Sequence, residues 1–307
     1  MRKSTKVFLI ISLVILVLGI VVTGVGVLIG GARWVSITWD NGLVINTDRM
    51  NSRQYFSQDI SGPVQNLEID ANACQLTLVP SDSFQVYGMY DPNYWTLDIS
   101  QPGSGKLVVQ LTPNPVPINI GIHDTAQLTI SYPANTNFSA VTVNANAVSA
   151  DLGRLQADKL SLSFNAATVN DGQLTCHQLE FSMAAGLVNI SSLQASQSAL
   201  ISMNAGTLTI QNAQLTALDF NMNAGSANLQ GKLTADNRIS VTAGDLKVQL
   251  DQPESDLLVT ANVTAGSLTF NGHSVTGAGS DNQFGSTTAP VKINVIAQIG
   301  SVSIRTQ

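Results

Sequence analysis

The chain has 307 residues, with 14 basic and 20 acidic side chains, a formal net charge of −6 and only 11% charged residues. An acidic, sparsely charged chain argues against a nucleic-acid partner, because binding to phosphates needs clustered Lys and Arg. Asn, Ser, Thr and Gln supply the polar groups instead, so we expect a surface that is polar without being ionic.

The first segment with a clear pattern is residues 7–30, which carry no charged side chain. As a helix, this segment would be about 36 Å long, enough to cross a bilayer. The residues before it include three bases, Arg2, Lys3 and Lys6, whereas only Arg33 follows closely. This asymmetry predicts a cytoplasmic N-terminus at 1–6, a transmembrane signal anchor at 7–30 and an extracytoplasmic remainder. The protein is therefore expected in the cell membrane, with a single pass.

A cleaved signal peptide is the alternative interpretation of the same segment. Gly30 and Ala32 are small residues with the spacing of a cleavage site. The apolar stretch is longer than the roughly 7–15 residues usual for the core of a signal peptide. Its length therefore favours an uncleaved anchor.

Residues 31–62 show little periodicity and end at Ser61-Gly62-Pro63, so we predict a juxtamembrane linker there. The extracytoplasmic domain is predicted to span 63–307. Within it, runs of alternating residues punctuated by turns indicate a strand-and-turn capping region at 80–132. A Gly/Ser-rich loop is predicted at 271–290, ahead of the last strands.

The dominant feature of this domain is a repeat of about twenty residues, in which the apolar alternation changes phase at a small pivot residue. The pivots are Asn72, Asn146, Ala167, Gly186, Gly206, Gly225, Gly244, Gly266 and Gly300. Apolar residues are expected inside at five, three and one positions before each pivot, and at two and four positions after it. Around Gly225 these are Phe220, Met222, Ala224, Ala227 and Leu229. Alternation on both sides predicts two strands, and the phase change predicts a corner where Gly or Asn adopts a positive φ.

A further apolar residue seven to nine positions past the pivot, such as Leu193 or Leu215, indicates a third short side. One such coil cannot bury its apolar face alone, but stacked coils enclose a continuous core. The sequence therefore predicts an all-β fold, a single-stranded β-solenoid of ~20-residue coils, preceded by one transmembrane helix. Regular coils are predicted at 141–270.

The two cysteines, Cys74 and Cys176, fall on different sides and different coils of such a solenoid. This placement does not suit disulfide geometry. We therefore predict two small buried hydrophobic side chains.

Residues capable of catalysis or metal binding are scattered. Seven acidic residues fall at varied phases of the repeat: Asp151, Asp158, Asp171, Glu180, Asp219, Asp236 and Asp245. Each of the three histidines, His123, His177 and His273, lacks a partner at zinc-ligand spacing. No catalytic residue, metal ligand or cofactor is therefore predicted.

Outward positions four and two residues before the pivots carry hydroxyls and amides. They are Ser163, Asn165, Ser202, Asn204, Asn221, Asn223, Ser240, Thr242, Asn262 and Thr264, with an interruption at Ser182 and Ala184. Stacked coils would turn them into a flat polar array able to bind a repetitive ligand such as a glycan or ice. Alternatively, stacked Asn and Thr only keep this face soluble without charge repulsion between coils.

Four aromatic residues, Tyr87, Tyr90, Tyr94 and Trp95, cluster where the repeat is interrupted. Aromatic rings stack well on sugars, so the cluster could contact a ligand. They would serve equally well to cap the apolar end of the solenoid.

Several parts of the chain resemble a known family. The segments Leu128–Pro133 and Val141–Asp151, the Asn-Ala-Gly or Thr-Ala-Gly units that follow, and the closing strands at 291–304 are similar to the β-strand-repeat family of candidate bacterial adhesins, a domain of unknown function. The resemblance covers about residues 64–306. It implies an anchored, outward-facing solenoid without catalytic residues, often in Gram-positive bacteria and sometimes associated with envelope-stress signalling. That family usually has Gly at each pivot, where this chain has Asn72, Asn146 and Ala167.

These patterns predict a membrane-anchored, non-catalytic, extracytoplasmic β-solenoid that acts in cell-surface adhesion, envelope scaffolding or envelope-stress sensing. The expected partners are the cell membrane, through residues 7–30, and a cell-wall polymer or another envelope protein. No nucleic acid is expected as a partner. The alternative is a carbohydrate-active enzyme, a polysaccharide lyase or hydrolase on a β-helix scaffold, which would need clustered carboxylates and a basic residue.

Overall fold

A computed structural model describes residues 53–103, 105–114, 125–277 and 279–307, and the backbone alone of two strands at 35–38 and 42–45. The predicted anchor at 7–30 and the predicted cytoplasmic residues 1–6 lie outside the described residues. Helical structure in the described part of the chain consists of one 3-10 turn, Glu254–Asp256. No helix in these ranges has the length and apolar character needed to span a bilayer. The prediction of an all-β fold is confirmed.

The strands follow one another closely along the chain. The first nine are β1 (Val35–Thr38), β2 (Gly42–Ile45), β3 (Gln54–Asp59), β4 (Asn66–Asn72), β5 (Cys74–Ser81), β6 (Gln85–Tyr90), β7 (Trp95–Ser100), β8 (Lys106–Pro113) and β9 (Ala126–Pro133). The next ten are β10 (Phe138–Asn146), β11 (Ser149–Asn165), β12 (Ala167–Met183), β13 (Gly186–Ile190), β14 (Ser192–Met203), β15 (Thr207–Thr216), β16 (Leu218–Met222), β17 (Ser226–Thr234), β18 (Asp236–Val241) and β19 (Asp245–Leu250). The last six are β20 (Leu257–Val263), β21 (Ser267–Phe270), β22 (His273–Thr276), β23 (Gly279–Gly285), β24 (Val291–Ala297) and β25 (Ser301–Thr306).

Neighbouring coils pair in parallel with an offset of about 19 residues, since Ser149 lies opposite Thr168 and Thr207 opposite Ser226. Three faces result. Face A contains the strands before the pivots, such as β16 and β18, and face B contains those after them, such as β13 and β19. Face C is the third short side, where residues 193–195 pair with residues 213–215. The chain is thus a parallel β-solenoid with three-sided coils.

The inward side chains of the three faces form one hydrophobic core that runs the length of the solenoid. Phe220 and Met222 before the pivot, and Ala227 and Leu229 after it, are each at most 2% exposed. The prediction of inward residues one position before the pivot is confirmed at the first two pivots, where Ala71 and Ala145 are buried. It is wrong at the later pivots, because Ala185 is exposed and Ala224 is only half-buried. The face-A strand has already ended two residues earlier, as β16 does at Met222, and the chain is turning.

The pivot glycines stack directly on one another. Gly225 has φ +102°, and a Cβ added to it would collide with the backbone oxygen of Gly206. At the first three pivots the predicted position of the positive φ is wrong by one residue, since it falls on Ala73, Ala147 and Ala166. The reason is clearest at Ala73, which alone links the end of β4 to the start of β5 and must make the whole corner.

Two coils are stacked out of chain order. The last coil, formed by β24 and β25, lies between the coil of β18 and β19 and the coil of β20 and β21. At the other end, the coil of β4 and β5 lies between that of β8 and β9 and that of β10 and β11. The coils predicted at 141–270 are therefore not contiguous, since the C-terminal coil separates residues 236–250 from residues 257–270.

Antiparallel strands cover both ends of the solenoid. At the N-terminal end β7 pairs with β8, β6 with β9, and β3 with β6. At the C-terminal end β22 pairs with β21 and β23 with β20. Strand β3 therefore joins the sheet from within the predicted linker at 31–62, and two strands occupy the predicted loop at 271–290. Covering the end coils protects parallel edges that would otherwise template further pairing.

Both cysteines are buried and free, as predicted. Desolvation raises the pKa of the Cys74 thiol, and likewise that of Cys176, from 9.0 to about 12. The Cys176 Sγ lies 3.5 Å from the Gln194 carbonyl oxygen and donates to it. Both thiols therefore stay protonated in the folded chain at pH values where an unfolded chain would ionise them.

We expect the Cys74→Ala, Cys176→Ala double variant to lose less stability in alkali than the wild type. A pKa raised by folding contributes stability that is complete below the unfolded value of 9.0 and is lost as the pH rises toward about 12. Each thiol then weakens folding by about 1.4 kcal/mol per pH unit above that value. Denaturant titrations at about pH 7.5 and about pH 10.5 should show a fall in unfolding free energy that is about 2 kcal/mol smaller per cysteine removed. Equal falls in the two proteins would contradict the burial of these thiols.

Candidate functional site

The predicted polar column lies on the outer surface of face A, and its residues are in register. Ser163, Ser182, Ser202, Asn221 and Ser240 are successive Cα partners on five coils. All five side chains are exposed or half-buried. The structure brings together eight of the predicted residues, here called the face-A ladder: Ser163, Asn165, Ser202, Asn204, Asn221, Asn223, Ser240 and Thr242.

The other two predicted residues, Asn262 and Thr264, do not follow Ser240 and Thr242 directly. Ile296 of the inserted coil is the Cα partner of both Ser240 and Asn262. Ile296 faces outward and is half-buried, and Ile299 at the next corner is 71% exposed. An apolar step thus interrupts the ladder near its C-terminal end, because the coils are not stacked in chain order.

Amides on face A hydrogen-bond to one another and to a neighbouring carboxylate. The Asn223 Nδ2 donates to the Asn204 Oδ1 at 2.7 Å across two coils, and the Asn221 Nδ2 donates to the Asp219 Oδ1 at 2.9 Å. These bonds are what a structural role for the ladder requires. An Asn side chain has two donor hydrogens and two acceptor lone pairs, so each amide still presents unused groups at the surface. The ladder can therefore support the fold and bind a ligand at once.

A second polar ladder lies on face B, where the sequence patterns predicted no site. Its members are one and three positions after the pivots: Thr207, Thr209, Ser226, Asn228, Asp245, Lys247, Ser301, Ser303, Ser267 and Thr269. The signal was present, because the alternation that points residues two and four inward also points residues one and three outward. The two ladders flank the column of pivot glycines.

Face A also carries an open groove of about 460 Å³ beside the ladder, where β24 lies between β18 and β20. Four neighbouring coils each contribute two outward side chains to it. These pairs are Ala217 and Asp219, Asp236 and Arg238, Lys292 and Asn294, and Leu258 and Thr260. This is the face-A groove.

The two cationic side chains of the groove, Arg238 and Lys292, do not form ion pairs with described residues. Within the described ranges, no carboxylate oxygen lies within 4.0 Å of the charged nitrogens of Arg238 or Lys292. Ion pairs form elsewhere, for example between the Lys106 Nζ and Glu68 Oε2 at 2.7 Å. The groove therefore presents two carboxylates and two cationic groups to a ligand.

A buried amide holds the groove together from below. Asn237 is only 4% exposed, and its Oδ1 accepts the Leu218 backbone N–H at 3.0 Å. Its Nδ2 donates to the backbone oxygens of Ala235 at 2.9 Å and Lys292 at 3.2 Å. One side chain thus joins three coils, including the inserted one. Buried amides with satisfied hydrogen bonds are costly to disturb, so this floor is rigid.

The scattered acidic residues include one stacked pair that the sequence did not predict. Asp151 and Asp171 are Cα partners on neighbouring coils. Each carboxylate accepts a nearby backbone N–H, from Gly153 at 3.1 Å and Gly172 at 2.7 Å, so the pair closes two turns. The described residues contain no group of three His, Cys, Asp or Glu side chains placed to hold a metal ion. His123 lies outside these residues.

The aromatic cluster lies at the N-terminal end, mainly inside the cap. Tyr94 and Trp95 are 9% and 8% exposed and belong to the core. The rings of Tyr90 and Phe56 meet edge to face with centroids 5.6 Å apart, and Phe56 belongs to β3. This packing favours the capping interpretation over a sugar-stacking surface. Tyr55, at 85% exposed, is the described aromatic that faces solvent most fully.

Comparison with protein families gives one match that covers most of the chain. The family model of Toastrack DUF4097 matches residues 64–305. This range begins just before β4 and ends within β25, so it contains every coil of the solenoid. No curated protein matches the chain.

Several solved structures match most of this chain at low sequence identity. A candidate adhesin from Bacteroides fragilis is 9% identical over 84% of this chain and 98% of its own, with a TM-score of 0.35. A candidate cell adhesion protein from Clostridium sporogenes is 13% identical over 83% of this chain and 100% of its own, with a TM-score of 0.25. A candidate lipid-binding protein from Parabacteroides distasonis is 12% identical over 83% and 97%, with a TM-score of 0.45. Likenesses at this level carry no information on ligand or activity.

Proposed function

Because the chain belongs to the Toastrack DUF4097 family, we propose that it is a non-catalytic binding module that attaches to a polymer of the cell surface. The resemblance to the β-strand-repeat family of candidate adhesins is confirmed by the family match over residues 64–305. Adhesion is the role that a repetitive polar surface serves most directly. Envelope scaffolding or stress sensing would need a protein partner, for which no described surface is specific.

The observation that carries the proposal is the register of the face-A ladder. Parallel strands repeat about every 4.8 Å, so equivalent hydroxyls and amides recur at that spacing along the solenoid. A polymer lying along the face can form many modest hydrogen bonds, and their sum becomes useful because the sites are linked. The exposed amides of Asn204 and Asn223, on adjacent coils, lie within the ladder.

The strongly shifted pKa values among the described residues belong to buried side chains. The pKa of Tyr132 is raised to about 12, as are those of Cys74 and Cys176, and in each case burial is the main cause. The Tyr132 hydroxyl donates to the Arg154 carbonyl oxygen at 2.6 Å and is part of the core. Because burial in the core explains all three shifts, none of them indicates a catalytic group.

We also propose that residues 7–30 anchor the solenoid and that the solenoid faces the outside of the cell. The support is the uncharged length of that segment and the three basic residues before it. A polar surface with few charges is suited to contact with wall polymers, since it adds little charge repulsion of its own.

The Asn204→Lys, Asn223→Lys double variant is expected to bind cell-wall polymers at least tenfold more weakly. It places two bulky ammonium groups on adjacent coils of the ladder and leaves the core untouched. Sedimentation of the purified full chain with isolated wall polymers will measure binding, and its melting temperature should change by about 2 °C or less.

The matched control is Gln194→Lys, Gln214→Lys, which puts the same charges on adjacent coils of face C. This control should bind like the wild type. Equal binding by the ladder variant would place the contact on another face. A wild-type chain that binds no wall polymer would overturn the proposed function.

A further inference from the structure

The face-A groove alternates acceptor-only and donor-only groups. Asp236 is the Cα partner of Lys292, and Asp219 is the Cα partner of Arg238. A carboxylate can only accept hydrogen bonds, whereas ammonium and guanidinium groups can only donate them. The Asp219 Oδ1 already accepts the Asn221 Nδ2. Within the described residues, the side chains of Asp236, Arg238 and Lys292 form no ion pair or hydrogen bond and remain available to a ligand.

This arrangement selects against a ligand of one charge sign. A polyanion would approach Arg238 and Lys292 but would also meet the carboxylates of Asp219 and Asp236. A polycation would approach the two carboxylates but would also meet the positive charges of Arg238 and Lys292. A hydroxyl group both donates and accepts, so adjacent hydroxyls can satisfy a carboxylate and a neighbouring cation together.

The rest of the lining fits a sugar ring. Asn294 and Thr260 continue the groove with uncharged donors and acceptors, and the half-buried Leu258 offers an apolar surface to ring C–H groups. The volume of about 460 Å³ lies within the roughly 300–1,000 Å³ usual for ligand sites. The rigid floor formed by Asn237 keeps three of the four coils in place, which lowers the cost of ordering on binding.

We infer that the face-A groove is a binding site for an uncharged, hydroxyl-rich saccharide segment, with Asp236 accepting hydrogen bonds from its hydroxyls and Arg238 and Lys292 donating to them. This inference rests on the proposed function, since it identifies the part of a surface polymer that the module recognises. The groove lies directly beside Asn221 and Ser240 of the ladder, so one polymer chain can contact both.

The test uses the purified full chain and three immobilised probes: neutral oligosaccharides of glucose, galactose and N-acetylglucosamine, oligomers of a uronic acid, and polyglycerol phosphate. We expect binding to a neutral oligosaccharide, with affinity nearly independent of salt between about 0.05 and 0.5 M because no charged ligand groups are screened. The Asp236→Asn, Arg238→Gln variant should bind it at least tenfold more weakly. The control Asp245→Asn, Lys247→Gln makes the same charge changes two residues apart on face B and should bind normally.

The other outcomes show whether this inference fails alone or together with the proposed function. Preference for either polyanion, with affinity that falls steeply with salt, would overturn the saccharide assignment but leave a polymer-binding module. Saccharide binding that is unchanged by the groove variant and lost in Asn204→Lys, Asn223→Lys would assign recognition to the ladder alone. If the wild type bound neither these probes nor isolated wall polymers, the inference and the proposed function would both be wrong.

Discussion

The Met222→Asp variant is expected to have a free energy of unfolding at least about 4 kcal/mol lower than that of the wild type. Met222 is 1% exposed and lies between Met203 and Val241 of the neighbouring coils. A carboxylate there has no polar partner in the core, so it must either remain charged without solvation or become protonated at a raised pKa. The shorter side chain also leaves a cavity. Denaturant titration will measure the loss, which should shrink at low pH as the carboxyl group becomes protonated.

The adjacent substitution Asn223→Asp is the matched control. Asn223 is exposed, and its only described side-chain bond is to the Asn204 amide. Losing that bond should cost about 1 kcal/mol or less, because water replaces it and the Asn204 amide can rotate to donate. Similar losses in the two variants would mean that the inward and outward phases of β16 have been assigned wrongly.

The inward phases were predictable because they follow from local geometry. Successive side chains of a strand point to opposite sides, so Phe220 and Met222 must share one side whatever the rest of the fold does. The recurring glycines Gly206, Gly225 and Gly244 marked the position of the corner, because only Gly lets the backbones approach so closely there. Both signals lie within a single coil and need no information about distant residues.

The order of the coils was not predictable in the same way. Every coil presents the same parallel edge and the same apolar interior, so the coil of β24 and β25 can pair with β18 as well as the coil of β20 and β21 can. The periodicity of the sequence does not predict which of these coils pairs with β18. The sequence between them, which folds as the antiparallel strands β22 and β23, lets the chain return and insert its last coil.

One part of the candidate site was predictable from the sequence, and the other part was not. The ladder from Ser163 to Thr242 was predictable, since it belongs to coils stacked in chain order. The groove was not, because Asp236 and Lys292 become Cα partners only through the insertion. One signal was available in Asn237, a polar residue at an inward phase of the repeat, which the structure shows as the buried link between three coils.

A pair of cysteines introduced at Ser240 and Ile296 is expected to form a disulfide under mild oxidation, whereas a pair at Ser240 and Asn262 is not. Ser240 and Ile296 are Cα partners on adjacent parallel strands, about 4.8 Å apart, which is within the range for a disulfide. Asn262 lies one strand further, about 9.6 Å from Ser240, which is beyond that range. We therefore expect the first pair to cross-link and the second pair not to cross-link.

The natural cysteines do not interfere with this experiment, since burial raises the pKa of Cys74 and Cys176 to about 12 and leaves little thiolate to react. Cross-linking can be followed by mobility on non-reducing gels and located by mass spectrometry of the linked peptides. Each single-cysteine variant serves as a control for links between molecules. If the Ser240–Asn262 pair were the one to cross-link, the coils would be stacked in chain order, and Lys292 would no longer lie beside Asp236. The ladder would then continue unbroken to Thr264, and the saccharide groove would lose the juxtaposition on which it depends.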